Sequence, residues 1–204
     1  LTDFAALKAA GAPGFTDDGI PLRDASLVMR AMEQAVKNDT LLSFHEEAPE
    51  FVDSPGVNFG SAAAAKFGVP GARPISEEVM IARDIALALR SGARVVFQHV
   101  SSALSVSLIR AGKELGAKIY AEVTPHHLAL TEDAVLEHGT LARMNPPLRT
   151  EADRQALIAG LKDGTIDMIA TDHAPHAAEE KAQDFAGAPS GITGLETAFS
   201  VCNT

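Results

Sequence analysis

The chain has 204 residues, 46% hydrophobic and 22% charged, with a formal net charge of −10 and one cysteine, Cys202. That length can bury one sizeable core, and the balance is ordinary for a globular domain. The acidic balance and the lack of any Lys/Arg block exclude a nucleic-acid footprint. No apolar run approaches the roughly 18 residues that would span a bilayer. A single cysteine excludes a disulfide framework and a thiolate zinc site, and it fits a reducing, cytoplasmic setting.

The chain opens on Leu1 and enters at once what reads as a helix over 3–10, with Thr2 as its N-cap and Gly11 as its stop. A short strand over 14–16 runs into Asp17-Asp18-Gly19. Apolar residues at helical spacing (Leu27, Val28, Ala31, Met32, Ala35, Val36) predict a helix over 25–37. The strand 40–44 ends at His45-Glu46-Glu47. Residues 48–75 hold Pro49, Pro55, Pro70 and Pro74 with several glycines, and read as a long loop with a small-residue turn at 61–66. Loops of that length in compact domains are often functional.

A helix over 76–90 follows, closed by Gly92, then a strand over 93–100 carrying Gln98-His99. A helix over 103–115 closes at Gly116, and the strand 118–123 runs into Thr124-Pro125-His126-His127. Residues 131–137 read as a short helix and 144–149 as a loop, Met144-Asn145-Pro146-Pro147-Leu148-Arg149. Glu151 opens a helix to Lys162. Met168-Ile169-Ala170 then reads as a buried strand ending in Asp172, His173 and His176, with Pro175 as its stop. A loop leads to Gly194 and a last helix from Leu195. Leu1 in place of Met, and an end shortly after a helix start, lead to the expectation that this is a stretch of a longer chain.

Alternation of helix and strand argues for a parallel sheet with helical crossovers. All five predicted strands end in polar, ligand-type residues: Asp18, His45, His99, His126/His127 and Asp172. In a doubly wound sheet the site gathers at one switch point, whereas in a closed barrel every strand's C-terminal end faces one mouth. The pattern therefore predicts a (β/α)8 TIM-type barrel. A full barrel takes about 250 residues, so about five of its eight strands are expected here, with residues 1–204 as the central to C-terminal part of one catalytic domain.

His138, in a polar stretch, reads as a surface residue. His45, His99 and Asp172 share a position type, the first residues after a strand. Imidazole with carboxylate and no thiolate suits a catalytic zinc ion, which brings the pKa of a bound water to about 7. Asp172 is placed for ligation and for proton transfer. Asp17 and Asp18 are adjacent, so strand alternation turns one of them to the mouth, unless both belong to an ordinary Asp-Asp-Gly turn. The same alternation turns one of His126 and His127 to the mouth. Asn145, before two prolines, is held extended. Arg149 and Arg154 read as structural or surface cations.

Taken together these stretches resemble the dihydroorotases of the amidohydrolase superfamily, of the metal-dependent type with aspartate in the bridging position. The resemblance runs through Gly14-Phe15-Thr16-Asp17-Asp18-Gly19, Phe44-His45-Glu46-Glu47, Gln98-His99-Val100-Ser101-Ser102, Ala121 to Leu128 with Met144 to Arg149, Ile169 to His176, and Ala188 to Thr197. It implies an amidohydrolase barrel with one or two zinc ions at its mouth. Asp18 matches the position that bridges two metals, His45 and His99 match ligands of one of them, and Asp172 matches a ligand that is also general base and then acid. Asn145, His176 and the backbone at Ser190 and Gly191 match groups that hold the substrate. The implied reaction is the reversible cyclisation of N-carbamoyl-L-aspartate to L-dihydroorotate in pyrimidine biosynthesis. As partners the resemblance suggests that small-molecule substrate, a homodimer and an aspartate transcarbamoylase.

The family also carries a His-x-His pair and an arginine after its first strand, and no His-x-His occurs here; the reading expects them upstream of Leu1. Two alternatives stand beside it. Another cyclic amidohydrolase (dihydropyrimidinase, hydantoinase or allantoinase) usually needs a carboxylated lysine where Asp18 stands. A non-catalytic subunit supporting aspartate transcarbamoylase would be expected to have lost ligands that are present here.

Overall fold

The structure is a computed structural model that describes residues 1–17 and 19–203. Its helices are α1 (Phe4–Ala9), α2 (Ala25–Lys37), α3 (Ala62–Phe67), α4 (Ile75–Ser91), α5 (Ala103–Glu114), α6 (Pro125–Ala129), α7 (Asp133–His138), α8 (Glu151–Asp163), α9 (Ala178–Lys181) and α10 (Ala198–Cys202). Its strands are β1 (Gly14–Thr16), β2 (Leu41–Phe44), β3 (Arg94–Phe97), β4 (Ile119–Val123) and β5 (Met168–Ile169).

The five strands pair in sequence order, β1-β2-β3-β4-β5, and every pair is parallel. Each crossover thus returns the chain to the next position in the sheet, with no reversal. A doubly wound sheet must reverse at its switch point; a barrel does not. The sheet is an arc of a (β/α) barrel, as the strand ends predicted.

The helices form where caps and apolar spacing agree. Asp24 accepts from the backbone N–H groups of Ser26 and Leu27 and so starts α2, whose Val28, Ala31, Met32 and Ala35 are all buried. These side chains join Leu42, Val95, Phe97, Ile81, Ile109 and Leu157 in the main core between sheet and helices. Burying each large member is worth roughly 1.5–3 kcal/mol. Helix α5 packs closely on α4 because position 112 is glycine: a Cβ there would stand 2.8 Å from Ile85 Cγ2 and 2.9 Å from Ile119 Cδ1.

Three expectations need correction. The 61–66 stretch is not a turn but part of α3, because the Ser61 hydroxyl accepts from Ala64 N–H, four alanines follow, and Gly68 closes the helix at φ 67°. Residues 126 and 127 do not continue β4: the Thr124 side chain accepts from His127 N–H and Pro125 takes the first helical position, so a helix begins there. Met168 and Ile169 are not buried but 39% and 42% exposed, because β5 lies at the edge of the described sheet with β4 as its one paired neighbour. A smaller change is that Asp3, not Thr2, caps α1.

A second core forms apart from the main one. Val57, Ala63, Ala64, Val135, Ala142, Leu148 and Phe185 bury together, so the 48–75 excursion is packed rather than loose. No described helix is long and apolar enough to cross a membrane.

Candidate active site

Side chains from successive strand ends meet at one cavity of about 310 Å³, lined by Gly19, His45, Gln98, His99, Glu122, Thr124, Asn145, Ala170 and Asp172. A larger cavity of about 720 Å³ lies between α6, α8, β5 and α10; its described lining is mostly aliphatic, with Arg154, Lys162 and Cys202 but no carboxylate or imidazole. The chemistry belongs to the smaller one.

At its centre His45 Nδ1 faces His99 Nε2 at 2.7 Å. Burial and the neighbouring His45 push the His99 pKa down to about 3, so its imidazole is neutral at physiological pH. Burial works to lower the pKa of His45 as well, but the hydrogen bond and charge of Glu47, with the charges of Asp17 and Asp172, raise it above the ordinary histidine value. Two imidazoles set nitrogen to nitrogen can share one proton or one cation. His99 (φ 35°) and Asp172 (φ 45°) both occupy left-handed backbone conformations that are uncommon outside glycine. Such strain gathers at functional sites, where surrounding bonds enforce it.

Those bonds are visible. The Asp17 carboxylate accepts from the His45 backbone N–H at 2.8 Å, fixing the end of β2. Behind His99, the buried Glu77 carboxylate accepts from Ser101 N–H at 3.1 Å, from Ser102 N–H at 3.1 Å and from the Ser101 hydroxyl. The buried Arg149 donates to Ser101 Oγ (3.3 Å), Asn58 Oδ1 (2.7 Å) and Ala72 O (2.7 Å), tying the His99 turn to the 48–75 excursion. Gln98 reaches back across the sheet, donating to Ser43 Oγ at 2.9 Å and Thr16 Oγ1 at 3.3 Å.

Asn145 is held from both ends of its amide. Its Nδ2 donates to the two Glu47 oxygens at 2.9 and 3.1 Å, and its Oδ1 accepts from Gly56 N–H at 3.2 Å. Glu47 in turn stands 3.6 Å from His45 Nε2. Glu47 was not singled out by sequence reasoning, although the period of two at a strand end puts residues 45 and 47 on one side. Glu46, on the other side, is buried beside Asp84 and Arg83, where burial and the Asp84 charge drive its carboxyl well above the usual range.

Neither His126 nor His127 lines the cavity, contrary to the alternation argument. Both are buried in α6: His127 bonds Thr124 Oγ1 (2.7 Å) and Pro146 O (3.1 Å), whereas neither His126 ring nitrogen has a hydrogen-bond partner among the described residues. A second cluster holds the remaining expected residues. His176 Nε2 lies 3.0 Å from Ser190 O, and Gly191 N–H donates to Arg143 O at 2.9 Å. A Cβ on Gly191 would stand 2.6 Å from Ala174 O, so no other residue fits that approach. His173 Nδ1 accepts from the backbone N–H groups of Gly194 and Leu195 at 3.1 and 3.2 Å.

The dihydro-orotase-like family model matches residues 1–105, about half of the chain. The chain belongs to the dihydroorotase-like family. It is similar to the dihydroorotase of Clostridioides difficile (strain 630), 56% identical over 201 residues, covering 98% of this chain and 48% of that protein. It is similar also to the dihydroorotase of Clostridium acetobutylicum, 52% identical over 204 residues, covering 100% of this chain and 48% of that protein. The chain thus spans about half the length of the curated relatives it matches.

Among solved structures, the L-hydantoinase (dihydropyrimidinase) of Arthrobacter aurescens superposes with a TM-score of 0.82 at 22% identity, over 98% of this chain and 47% of that one. The dihydroorotase of Saccharomyces cerevisiae in complex with 5-fluoroorotic acid gives 0.74 at 18% identity, over 97% and 55%. At such identities the likeness carries the fold alone, the (β/α) barrel.

The dihydroorotase-like fold therefore brings His45, His99, Asn145 and Asp172 to one cavity, and His176, Ser190 and Gly191 to one another in a separate cluster. Asp18 lies outside the described residues. Among the described residues no three His, Cys, Asp or Glu side chains already converge on a point that would hold a metal ion. The donor set nonetheless fits one: a neutral buried His99 facing His45 at 2.7 Å, with Asp172 at the same cavity. Two nitrogens on one tetrahedral zinc stand roughly 3.3 Å apart, a small opening from the observed distance.

Proposed function

We propose that this chain is the larger part of the active-site face of a zinc-dependent dihydroorotase, which opens and closes the ring between L-dihydroorotate and N-carbamoyl-L-aspartate in pyrimidine biosynthesis. The observation that carries the reading is the convergence of His45, His99 and Asp172 on one cavity, in a chain whose relatives at 52–56% identity are dihydroorotases. His45, His99 and Asp172, with Asp18, would hold one or two zinc ions. When bound, zinc polarises a carbonyl and makes water acidic enough to attack near neutral pH.

The rest is the work of the chain's own groups. In ring opening Asp172 takes the proton of the attacking water and delivers it to the leaving ring nitrogen; ring closure reverses both transfers. Glu122 lines the same cavity, and burial together with the Asp172 charge raises its pKa. Asn145, His176 and the Ser190–Gly191 backbone would orient the small-molecule substrate. The Asn145 amide is already fixed by Glu47 and Gly56, so it needs no ordering when substrate arrives. The cytoplasmic setting rests on composition, and the homodimer and aspartate transcarbamoylase partners rest on the resemblance.

The superposition on hydantoinases supports a second reading as another cyclic amidohydrolase. An assay of the full-length protein with dihydroorotate, dihydrouracil, hydantoin and allantoin separates the two. The dihydroorotase reading expects dihydroorotate to be preferred by at least about a hundredfold in kcat/KM, since a site built to bond a polar substituent rejects analogues lacking it. Equal or better turnover of hydantoin or dihydrouracil overturns it. No turnover of any of the four supports the non-catalytic subunit instead.

A further inference from the structure

Helix α9 carries a buried lysine in a chain segment that the mechanism does not use. Lys181 is 8% exposed, and its ammonium donates to three backbone carbonyls: Pro189 O at 2.9 Å, Thr140 O at 3.0 Å and Arg143 O at 3.4 Å. An ammonium has three N–H donors and no acceptor, so these bonds use it completely. Its own backbone carbonyl accepts from the Thr140 hydroxyl. The described structure gives Lys181 no carboxylate ion pair. Burying a cation among carbonyls is costly unless every donor is satisfied, and here every donor is.

The three carbonyls belong to two separate stretches, residues 140–143 and the loop at Pro189. That loop continues directly into the cluster at His176. Ser190 O is 3.0 Å from His176 Nε2, and Gly191 N–H donates to Arg143 O, the same carbonyl Lys181 holds. The segment between is pinned as well: the Phe185 ring stacks on Phe67 with centroids 4.3 Å apart, and the Arg143 guanidinium lies over Phe185. Arg143 also donates to Pro55 O at 3.3 Å. One ammonium therefore ties α9, the 140–143 stretch and the Pro189-Ser190-Gly191 backbone into a rigid rim.

We propose that Lys181 is a positioning residue that holds the Pro189-Ser190-Gly191 backbone against His176, preforming the rim that receives the polar substituents of the cyclic amide. This rests on the dihydroorotase reading given above. Lys181 touches neither the cavity nor the reacting atoms, so its loss acts on substrate capture and not on the proton transfers.

The test uses the full-length protein with Lys181→Met and Lys181→Gln, the second keeping part of the donor capacity. Expected for Lys181→Met is a rise of about tenfold in KM for dihydroorotate with kcat within about twofold. Amide exchange over residues 186–192 should quicken by at least about tenfold, without a matching change in the β2 and β3 strands. Lys181→Gln should fall between, and it carries the same two readouts if Lys181→Met does not fold. A fall in kcat at unchanged KM overturns the proposal. So does a loss of protection spread evenly over the barrel, which marks a merely structural lysine. If the parent protein does not turn over dihydroorotate, the functional reading fails, and exchange in the rim still decides whether Lys181 is its tether.

Discussion

His99 and Asp172 hold left-handed backbone angles that neither residue adopts without support. For His99 the support is the buried Glu77 carboxylate, which accepts from the backbone N–H groups of Ser101 and Ser102 two and three residues on. The histidines of α6 make a different residue-scale point. Burial pushes the His126 pKa to about 4 and the His127 pKa well below the ordinary value. The unfolded chain, titrating near 6.5, binds these protons first. Their stabilisation is therefore complete above pH 6.5 and is lost as pH falls through the folded-state values. Glu46 works in the opposite sense, since its raised pKa favours the folded state as pH falls, so the histidine contribution must be read as a difference. Urea unfolding of the parent and His126→Asn is expected to show the parent losing relative stability by about 1.4 kcal/mol per pH unit between pH 6.5 and 4. A constant difference across that range contradicts the assignment. Residue types after apolar runs mark which strand ends bear ligand-type side chains, and His45, His99, Asn145 and Asp172 line one cavity. The bonds that fix them were not legible, because Asn145 and Glu47 lie 98 positions apart.

At the scale of elements, caps and breakers decided where reading by period worked. Helix α2, with an Asp cap and a regular apolar face, could be read directly from the sequence. The β4–α6 junction could not, because Thr124 and Pro125 change the period from 2 to 3.6 within one residue. Helix α3 hid in a proline- and glycine-rich stretch, although Ser61 and Gly68 are its cap signals. The junction of α4 with the β3–α5 turn depends on Glu77, whose partners Ser101 and Ser102 come more than twenty residues later. Glu77→Gln puts an amide N–H where backbone donors point and withdraws a charge lying near Arg149. Denaturant titration is expected to show a loss of about 2–3 kcal/mol, and a change within about 0.5 kcal/mol would show the clamp is dispensable.

For the whole molecule the decisive feature is order: five parallel strands paired in sequence, with side chains from their C-terminal ends gathered at one mouth. That much follows from where polar residues stand after apolar runs. The edge exposure of β5 did not, because burial of a strand depends on what covers it rather than on its own composition. The 48–75 excursion packs into a second core, and Lys181 ties the Pro189 carbonyl to that of Thr140. The proposed function rests most directly on Asp172 as the carrier of the proton. Replacing Asp172 with Asn in the full-length protein keeps the side chain's size and removes its basicity. Measured on dihydroorotate, kcat is expected to fall by at least about a hundredfold with the unfolding transition nearly unchanged. Retention of a tenth or more of the parent turnover would contradict the role assigned to Asp172.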